Sequence, residues 1–309
     1  MIYTVTLNPT LDITYILENI SFEEPVKALQ ILHTPGGKGI NVSRALRAMG
    51  TDSVAMGLIG GYSGEEVLDL LQQEGLILQI VKIKNETRTN VIIFGERDGR
   101  ELVIRAAGPP VEEKETDRIS RLIFEIAQTP EVMVLSGSLP PGVRDDIYFL
   151  LAREGKRRGM KIALDSQGEP FRRGIEAGPY LIKPNLKELC DLAGRELAGD
   201  REIIEFSRGL LEKDVKMVVV SLGRGGALMV TGEGVWRGNV PVVDHDTVGA
   251  GDSMVAGLVM GIVEAQPLER LFRTGLACGV SAVINHGPGL AEPESFETAF
   301  SQVKVEKIL

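Results

Sequence analysis

The sequence predicts an α/β fold in which helices cover both faces of a mostly parallel central sheet, with a small antiparallel sheet attached as a lid. From about residue 50 onward, short runs of β-branched residues alternate with segments of helical periodicity, as in parallel sheets joined by helical crossovers. The strand-like runs are apolar at nearly every position, which indicates strands buried on both faces. Two segments, 10–33 and 88–108, break this alternation and predict the lid.

The elements of the core follow in chain order. An apolar alternating run at 2–7 predicts the first strand. Further strands are predicted at 53–59, 132–135, 161–164 and 217–221, and helices at 65–73, 145–157 and 254–263. The chain has 309 residues, of which 43% are hydrophobic, so it can bury one large core and is predicted to form a single domain over 1–309.

The lid segments, 10–33 and 88–108, mix polar with β-branched residues and contain turn signals such as Arg97-Asp98-Gly99. They predict antiparallel strands outside the main sheet. Because so few strands are unstable alone, we expect them to rest over one end of the core or to pair with the same sheet of a second subunit. The prediction is therefore a lid that also joins a homodimer.

Composition argues against several classes of protein. The net charge is -9, and no basic run could follow a nucleic-acid backbone. There is no signal-peptide pattern, and the longest apolar stretch is too short for the about 20 residues of a membrane span. Cys190 and Cys278 lie in apolar stretches, as buried thiols do in a reducing compartment, so a cytoplasmic protein is expected. His33, His245 and His286 lack metal-ligand spacing, so no zinc site is assigned.

The strongest local signal is Thr-Val-Gly-Ala-Gly-Asp-Ser at 247–253, directly before the predicted helix at 254–263. The glycines permit a tight turn, and the unpaired N–H groups at the helix start form a site for phosphate charge. Phosphate oxygens would repel a carboxylate there. We therefore interpret Asp252 as the base that takes a proton from a hydroxyl attacking phosphorus. The alternative is an ordinary helix start with an acidic first turn.

The second signal is Gly-Gly-Lys-Gly-Ile-Asn at 36–41, leading into an amphipathic helical segment. Glycines there let a ligand approach the backbone closely, while Lys38 and Asn41 offer a charge and an amide. The segment is not a Walker A loop, because Gly39 follows the lysine where that motif has serine or threonine. No Gly-x-Gly-x-x-Gly follows a strand, which disfavours a dinucleotide oxidoreductase.

Two weaker segments have adequate structural explanations as well as functional ones. In 183–188, Asn185 is suited to cap a helix and Glu188, three residues on, to complete a capping box. In 221–227, the glycines suit either a tight hairpin or the close approach of a flat ligand.

Two more segments end predicted core strands, where ligands of open α/β folds bind. Asp12 lies just past the first strand, and Ser-Gly-Ser-Leu-Pro-Pro-Gly at 136–142 ends another. A surface turn and an ordinary loop are the respective alternatives.

Taken in order, these motifs resemble the ribokinase-like carbohydrate kinases, specifically their phosphofructokinase B branch. The segments at 36–41 and 246–253 look like the two signature motifs of that family. The segments at 136–142, 183–188 and 221–226 fall between them in the family's order and approximate spacing. The resemblance spans nearly the whole chain and implies a ribokinase-like three-layer sandwich with ATP as phosphate donor.

The resemblance also implies roles for individual residues. Asp252 would be the catalytic base, with an anion hole formed by the amides of Gly249, Ala250 and Gly251. The acceptor sugar would be held by Asp12, Gly37, Lys38, Asn41 and Ser136, and its phosphate by Arg88. The nucleotide and its Mg²⁺ would lie among Lys183, Asn185, Glu188, Ser221, Gly223 and Gly226. A monovalent cation such as K⁺ would lie near Asp246, Val248, Ala282, Asn285 and Gly287.

The branch divides by acceptor sugar. Lys38 within Gly-Gly-Lys-Gly looks like 1-phosphofructokinases and tagatose-6-phosphate kinases, whereas 138–143 and 183–197 look as much like B-type 6-phosphofructokinases. Where the latter carry a basic pair before the first signature, this chain has Lys27 alone. The shared product, fructose 1,6-bisphosphate, is the expectation, with tagatose 6-phosphate as alternative acceptor. A ribose or nucleoside kinase and a non-catalytic sugar-phosphate sensor are further alternatives; Arg88 and Lys38 argue against the first, and Asp252 against the second.

Overall fold

The computed structural model describes residues 1–97, 99–125, 129–240, 249–284 and 289–309. These residues form two β-sheets surrounded by α-helices. The strands are β1 (Ile2–Thr6), β2 (Thr10–Leu17), β3 (Gln30–Gly36), β4 (Ser53–Ile59), β5 (Ile77–Lys82), β6 (Arg88–Gly95), β7 (Glu101–Ile104), β8 (Val132–Ser136), β9 (Lys161–Asp165), β10 (Leu181–Ile182), β11 (Met217–Ser221), β12 (Ala227–Thr231), β13 (Gly234–Asn239) and β14 (Lys304–Lys307). The helices are α1 (Lys38–Ala48), α2 (Gly61–Gln73), α3 (Glu113–Glu125), α4 (Ile147–Arg157), α5 (Gly168–Ile175), α6 (Leu186–Ala193), α7 (Gly199–Leu211), α8 (Ala250–Val263), α9 (Leu268–Ile284) and α10 (Pro293–Gln302).

The central sheet has ten strands in the order β14-β13-β12-β11-β10-β9-β8-β1-β4-β5. Every pairing from β11 to β5 is parallel, and the pairings among β11, β12, β13 and β14 are antiparallel. Strands β1, β4 and β8 are buried along their whole length. Their continuous apolar character reflects this two-sided burial, and the predicted mostly parallel sheet is confirmed.

Helices cover both faces of this sheet. Apolar side chains of α3 to α7 pack in one core cluster, and those of α1, α8, α9 and α10 pack in another. Helix α8 is buried on nearly all sides because it packs between α1 and α9, which explains why its sequence is apolar all round. A third cluster joins α2 to Leu11 of β2 and Ile40 of α1, beneath the small sheet.

The small sheet has the strand order β3-β2-β6-β7 and comes from the two predicted lid segments. Its outer pairings are antiparallel as predicted, but the central pairing of β2 with β6 is parallel. The reason lies in the main sheet: β2 directly follows β1, and β6 follows β5, and β1 and β5 run in the same direction. Both continuations therefore leave the same edge of the core in the same direction.

Several predicted boundaries agree with the structure, and the helix starts differ most. Strands β4 and β11 have the predicted bounds. Helix α2 begins four residues before the predicted position 65, because the N–H of Ser63 donates to the carboxylate of Glu86 at 2.6 Å. Such a contact from a distant segment satisfies a helix start without a local cap. Among the described residues, no helix combines the length and the apolar character needed to cross a bilayer.

Candidate active site

Polar side chains collect where the parallel strands end and where helices α1 and α8 begin. Strand β9 ends at Asp165, and Lys183 directly follows β10. Helix α1 begins at Lys38, and Asp252 lies in the first turn of α8. Carboxyl ends of parallel strands and helix N-termini share one edge in such folds, so the crossovers bring residues far apart in sequence into one site.

Asp252 is 7% exposed, and the side-chain amide of Asn41 donates to its Oδ2 at 2.8 Å. Burial, together with the negative charge of Asp165, raises the pKa of Asp252 to about 6. Lys38 and Lys183 partly oppose this rise in pKa. Asp252 is therefore an ionised carboxylate at neutral pH, with a proton affinity well above that of an ordinary aspartate.

Asp165 organises the positive charge of the site, and sequence reasoning does not single it out. It is 1% exposed; its Oδ1 accepts from Lys38 Nζ at 3.1 Å and lies 3.7 Å from Lys183 Nζ. Burial lowers the pKa of the Lys38 ammonium, but carboxylates, chiefly Asp165 and Asp252, outweigh burial and raise it above its ordinary value. The available signal is its place at the end of an apolar strand, the same signal that indicates Asp12.

The start of α8 has the features of an anion site. Gly249 is the N-cap with φ of 105°, and a side chain there would meet the carbonyl of Gly289 at 2.6 Å, so only glycine fits. The first N–H groups of the helix have no acceptor within the helix. A Cβ at Gly251 would lie 3.4 Å from Lys183 Nζ, so an ammonium stands beside this helix start. Ala250 is the first helical residue.

On the lid side, Asp12 is held by neighbours on the small sheet. Asn90 Nδ2 donates to Asp12 Oδ1 at 2.8 Å, and the Thr10 hydroxyl donates to the same oxygen at 3.2 Å. A Cβ at Gly36 would lie 2.4 Å from Asp12 Oδ2, so the carboxylate lies against the glycine backbone. Burial raises the pKa of Asp12, while the hydrogen bonds from Asn90 and Thr10 oppose the rise. The next residue after Gly36 is Gly37, which is the N-cap of α1 and has a φ of 116°.

Arg88 is tied to the backbone. Its guanidinium donates to the carbonyls of Asn8 at 2.9 Å, Pro9 at 3.3 Å and Ala106 at 2.8 Å. These bonds join the end of β1 to the segment after β7. Three of the five N–H groups of a guanidinium are thereby used, which leaves two for a ligand.

Ser136 lies beneath the site rather than at its surface. It is fully buried, and its hydroxyl donates to the carbonyl of Asp165 at 3.2 Å. Ser138 is half-buried and accepts from Asn8 Nδ2 at 3.2 Å. Of the two hydroxyls in this segment, Ser138 is the one placed to meet a ligand beside Asn8, and Ser136 supports the strand end that carries Asp165.

The residues predicted to surround a nucleotide lie at the ends of β10 and β11. Asn185 caps α6 and forms the predicted capping box with Glu188: the Glu188 N–H donates to Asn185 Oδ1, and the Asn185 N–H donates to Glu188 Oε2. Asn185 also forms an isolated parallel bridge with Ser221. Gly223 and Gly226 flank the turn between β11 and β12, and both have positive φ, as a tight turn requires.

The predicted cation ligands lie mostly outside the described residues. These are Asp246, Val248, Asn285 and Gly287. Ala282 is buried in α9. Of the predicted surface or satisfied histidines, His33 forms a hydrogen bond with Glu66, and the other two lie outside the described residues.

Comparison with known proteins agrees with this site. The model of the pfkB family of carbohydrate kinases matches residues 5–295. The chain belongs to this family. It is 34% identical over 310 residues to a 1-phosphofructokinase of Borreliella burgdorferi, covering 100% of this chain and 99% of the relative. It is 31% identical over 312 residues to a tagatose-6-phosphate kinase of Staphylococcus epidermidis, with 100% of both chains covered.

The third relative also has solved structures. The chain is 34% identical over 303 residues to the ATP-dependent 6-phosphofructokinase isozyme 2 of Escherichia coli, covering 97% of this chain and 98% of the relative. The structure of phosphofructokinase-2 from E. coli with substrates and products superposes with a TM-score of 0.92 at 34% identity, covering 97% of this chain and 98% of that one. That enzyme has also been solved with potassium and in a tetrameric inhibited form. The predicted ribokinase-like sugar-phosphate kinase is confirmed.

Proposed function

We propose that this pfkB-family kinase transfers the γ-phosphate of ATP to a hydroxyl of fructose 1-phosphate or fructose 6-phosphate, giving fructose 1,6-bisphosphate. The observation that supports this proposal most strongly is Asp252, a buried carboxylate with a pKa of about 6 at the start of α8. It accepts a hydrogen bond from Asn41, and Asp165 with its two lysines, Lys38 and Lys183, lies beside it. A carboxylate facing a phosphate site gains nothing for binding, but it can accept the proton of an attacking hydroxyl.

Asp252 acts as the base in the proposed mechanism. Being ionised above about pH 6, it takes the proton from the sugar hydroxyl as the oxygen attacks the γ-phosphorus. Asn41 holds the carboxylate through the 2.8 Å bond to one oxygen, which leaves the other oxygen for the hydroxyl. A base with this pKa combines ionisation at neutral pH with a stronger pull on the proton than an exposed aspartate has.

The charge of the transferring phosphoryl group is stabilised by preorganised donors. The N–H groups of Gly249, Ala250 and Gly251 at the start of α8 form the anion hole, and the ammonium of Lys183 stands beside them. Lys38 supplies a second positive charge, held in place by Asp165. These groups need no reorganisation when the charge develops.

The nucleotide lies at the ends of β10 and β11, beside Lys183, Asn185, Ser221, Gly223 and Gly226. Mg²⁺ keeps several waters and binds through one or two carboxylates plus substrate phosphates, and Glu188 fits this role because only its Oε2 is used in the capping box. When bound, Mg²⁺ neutralises charge on the β- and γ-phosphates. We also propose K⁺ near the start of α8, since the E. coli relative has been solved with potassium.

The acceptor lies between the lid and the start of α1, where Asp12, Gly37, Lys38 and Asn41 hold the sugar and Arg88 its phosphate. Tagatose 6-phosphate is the second candidate, because the S. epidermidis relative matches along the whole chain. The test is ADP release from ATP with fructose 1-phosphate, fructose 6-phosphate, tagatose 6-phosphate, ribose and adenosine. We expect kcat/KM to be highest for a fructose phosphate; preference for ribose or adenosine would contradict the proposal.

Replacement of Arg88 by alanine should lower both the stability of the protein and its affinity for the sugar phosphate. Three backbone carbonyls lose their donor, so we expect a loss of about 1–3 kcal/mol in the free energy of unfolding, seen as a lower urea midpoint. The KM for the sugar phosphate should rise, because the guanidinium holds the phosphate of the sugar and also anchors the lid beside Asp12, while the KM for ATP stays unchanged. Arg97→Ala, which removes an exposed arginine from the lid, is the matched control. An unchanged midpoint and sugar-phosphate KM would contradict both roles of Arg88.

A second copy of this chain is the proposed partner of the outer face of the small sheet. One apolar row crosses its four strands and consists of Ile31, Tyr15, Ile93 and Leu102. Of these side chains, Ile31 is 51% exposed and Leu102 is 39% exposed. Ile104, 53% exposed, lies on the same face. Exposed apolar rows on a sheet with free edges are typical of an interface. The E. coli relative, which has a tetrameric form, assembles with copies of itself.

Light scattering at micromolar concentration should therefore give twice the chain mass of 33.5 kDa. The double variant Leu102→Glu, Ile104→Glu should give the monomer mass, because two carboxylates would be buried in the interface. A wild-type monomer mass would contradict the homodimer. We also propose a cytoplasmic location, which agrees with two buried free cysteines.

A further inference from the structure

Strand β5 forms one edge of the central sheet. Among the described residues, it pairs only with β4. Just after β5, the N–H of Ile83 donates to the carbonyl of Ile59 in β4. Backbone groups of successive residues in a parallel strand point to opposite sides, so those of Ile80 and Lys82 point away from β4. The edge therefore offers donors and acceptors to a further strand.

A groove of about 670 Å³ lies beside this edge, between β5 and α3. Glu115 of α3 closes one end of the edge, because its Oε1 accepts from the N–H of Lys84 at 2.7 Å and its Oε2 accepts from another backbone N–H. The other glutamate that lines the groove, Glu125, is the last residue of α3. The open edge is thus residues 78–82, which span about 17 Å and can pair with a short extended segment.

Positive charge lines the α3 side of the groove. Lys114, Arg118 and Arg121 are exposed and share one face of the helix, because they are four and three positions apart. In the part of the chain that the structure describes, Arg118 has neither a hydrogen bond nor an ion pair, and Arg121 donates only from Nε, to the carbonyl of Asp117. Lys114 forms an exposed ion pair with Glu112, which contributes little and can be exchanged for another carboxylate.

The two faces of β5 have different surroundings. Val81 packs with Ile119 and Ile123 on the α3 side, whereas Leu78 and Ile80 pack against the cluster of α2 on the other side. Side chains of a strand alternate between the two faces, so an added strand would place every second side chain beside the cationic residues of α3. The remaining side chains would lie beside Leu78 and Ile80. A segment in which acidic and apolar residues alternate is complementary to both faces.

We propose that the groove between β5 and α3 binds an extended segment of a partner protein, with alternating acidic and apolar residues, as a strand added to β5. The inference is independent of the proposed function, because the groove contains no residue of the candidate active site. A peptide pairs with both the N–H and the carbonyl groups of the edge, whereas a DNA backbone offers acceptors only. Pairing with β5 of a second copy would bring two cationic α3 faces together, which like-charge repulsion disfavours.

The probe for this groove is a fluorescein-labelled synthetic peptide, Thr-Glu-Val-Glu-Val-Glu-Val-Thr, and its binding is followed by fluorescence anisotropy. We expect the wild type to bind it more tightly than the same peptide with glutamine in place of glutamate. The double variant Arg118→Glu, Arg121→Glu should raise the Kd about tenfold or more, because attraction becomes repulsion. Its ADP release and melting temperature should stay unchanged. Arg201→Glu, Arg208→Glu, which reverses two exposed arginines of α7, is the matched control and should keep the wild-type Kd.

A second variant tests the backbone pairing. Lys82→Pro removes an N–H that points away from β4, and proline is tolerated at such edge positions. Lys82→Ala removes only the side chain, whose ammonium pairs with Glu65. We expect Lys82→Pro to bind the peptide about tenfold more weakly than Lys82→Ala, because one backbone hydrogen bond to the peptide is lost. In wild type, the peptide should slow the hydrogen exchange of the Ile80 and Lys82 amides.

Several results would overturn the proposal. They are the absence of peptide binding by wild type, an equal Kd for the glutamate and glutamine peptides, and an equal Kd for wild type and Arg118→Glu, Arg121→Glu. Unchanged exchange of the Ile80 and Lys82 amides in the complex would exclude an added strand. Tighter binding of a short DNA duplex than of the peptide, weakened by the same double variant, would assign the groove to nucleic acid instead.

Discussion

Replacement of Asp252 by asparagine should lower kcat by about 10²–10⁴, because the variant keeps the shape of the side chain but cannot accept a proton. Asn41 can still donate to the remaining side-chain oxygen, so the site should stay assembled. Affinities for the sugar phosphate and for a non-hydrolysable ATP analogue, measured by calorimetry, should change little. A variant that turns over within a few-fold of wild type would remove Asp252 as the base.

The same variant should be more stable than wild type at neutral pH. The pKa of Asp252 is raised from 3.8 to about 6, so the folded state holds the proton more tightly than the unfolded chain does. Ionisation therefore costs the folded state on the order of 3 kcal/mol above pH 6, a cost that shrinks as the pH falls from 6 to 4 and is absent below that range. Urea unfolding at pH 7 and pH 4 measures this difference. A variant less stable than wild type at pH 7 would indicate that Asp252 has a structural role instead.

Replacement of Asp165 by asparagine should lower both stability and activity. The carboxylate lies between two ammonium groups, one of them the almost fully buried Lys183, and removing it leaves that charge uncompensated at a cost on the order of 3 kcal/mol. Lys38 also loses its anchor, so we expect kcat to fall by about 10-fold or more, as a misplaced charged group in a phosphoryl-transfer site typically causes. Asp52→Asn, at an exposed ion pair, is the control and should leave both quantities unchanged.

The pH dependence of Asp165→Asn gives a second, independent readout. In wild type, kcat/KM should fall as the pH drops through about 6, because the base becomes protonated. Asp165 is one cause of that raised pKa, so the variant should retain activity to lower pH than wild type does. Using the same sugar phosphate for both enzymes cancels the titration of the substrate. If kcat/KM falls at the same pH in wild type and in Asp165→Asn, Asp165 does not raise the pKa of Asp252.

The fold could be predicted largely because its signals are local. A strand buried on both faces must be apolar throughout, and β4 and β11 carry that pattern over their whole length. The parallel pairing of β2 with β6 could not be found in this way, because it follows from the direction in which two distant strands leave the core. The start of α2 depends on Glu86, more than twenty positions further along the chain.

The residues of the site likewise differ in whether a local sequence signal marks them. Three site residues could be identified from the sequence because they lie in glycine-rich motifs typical of ligand-binding turns: Asp252, Lys38 and Asn41. Asp165 has no such motif; its importance comes from two lysines that reach it from other segments. The capping box of Asn185 with Glu188 could be predicted because it joins residues only three positions apart.

The backbone contacts of Arg88 could not be predicted from the sequence. Only the folded chain shows that the carbonyls of Asn8, Pro9 and Ala106 surround its guanidinium. Hydrogen bonds to backbone carbonyls of distant segments leave no pattern in the chain that donates them.

The role of Asp252 in a phosphofructokinase reaction is tested directly by the amount of fructose 1,6-bisphosphate formed per ADP released, measured with wild type and with Asp252→Asn. With fructose 1-phosphate or fructose 6-phosphate as acceptor, we expect one molecule of the bisphosphate for each ADP in the wild-type reaction. In Asp252→Asn, both products should be lost together. Release of ADP without the bisphosphate, or equal formation of it by the two proteins, would contradict a phosphofructokinase that uses Asp252 as its base.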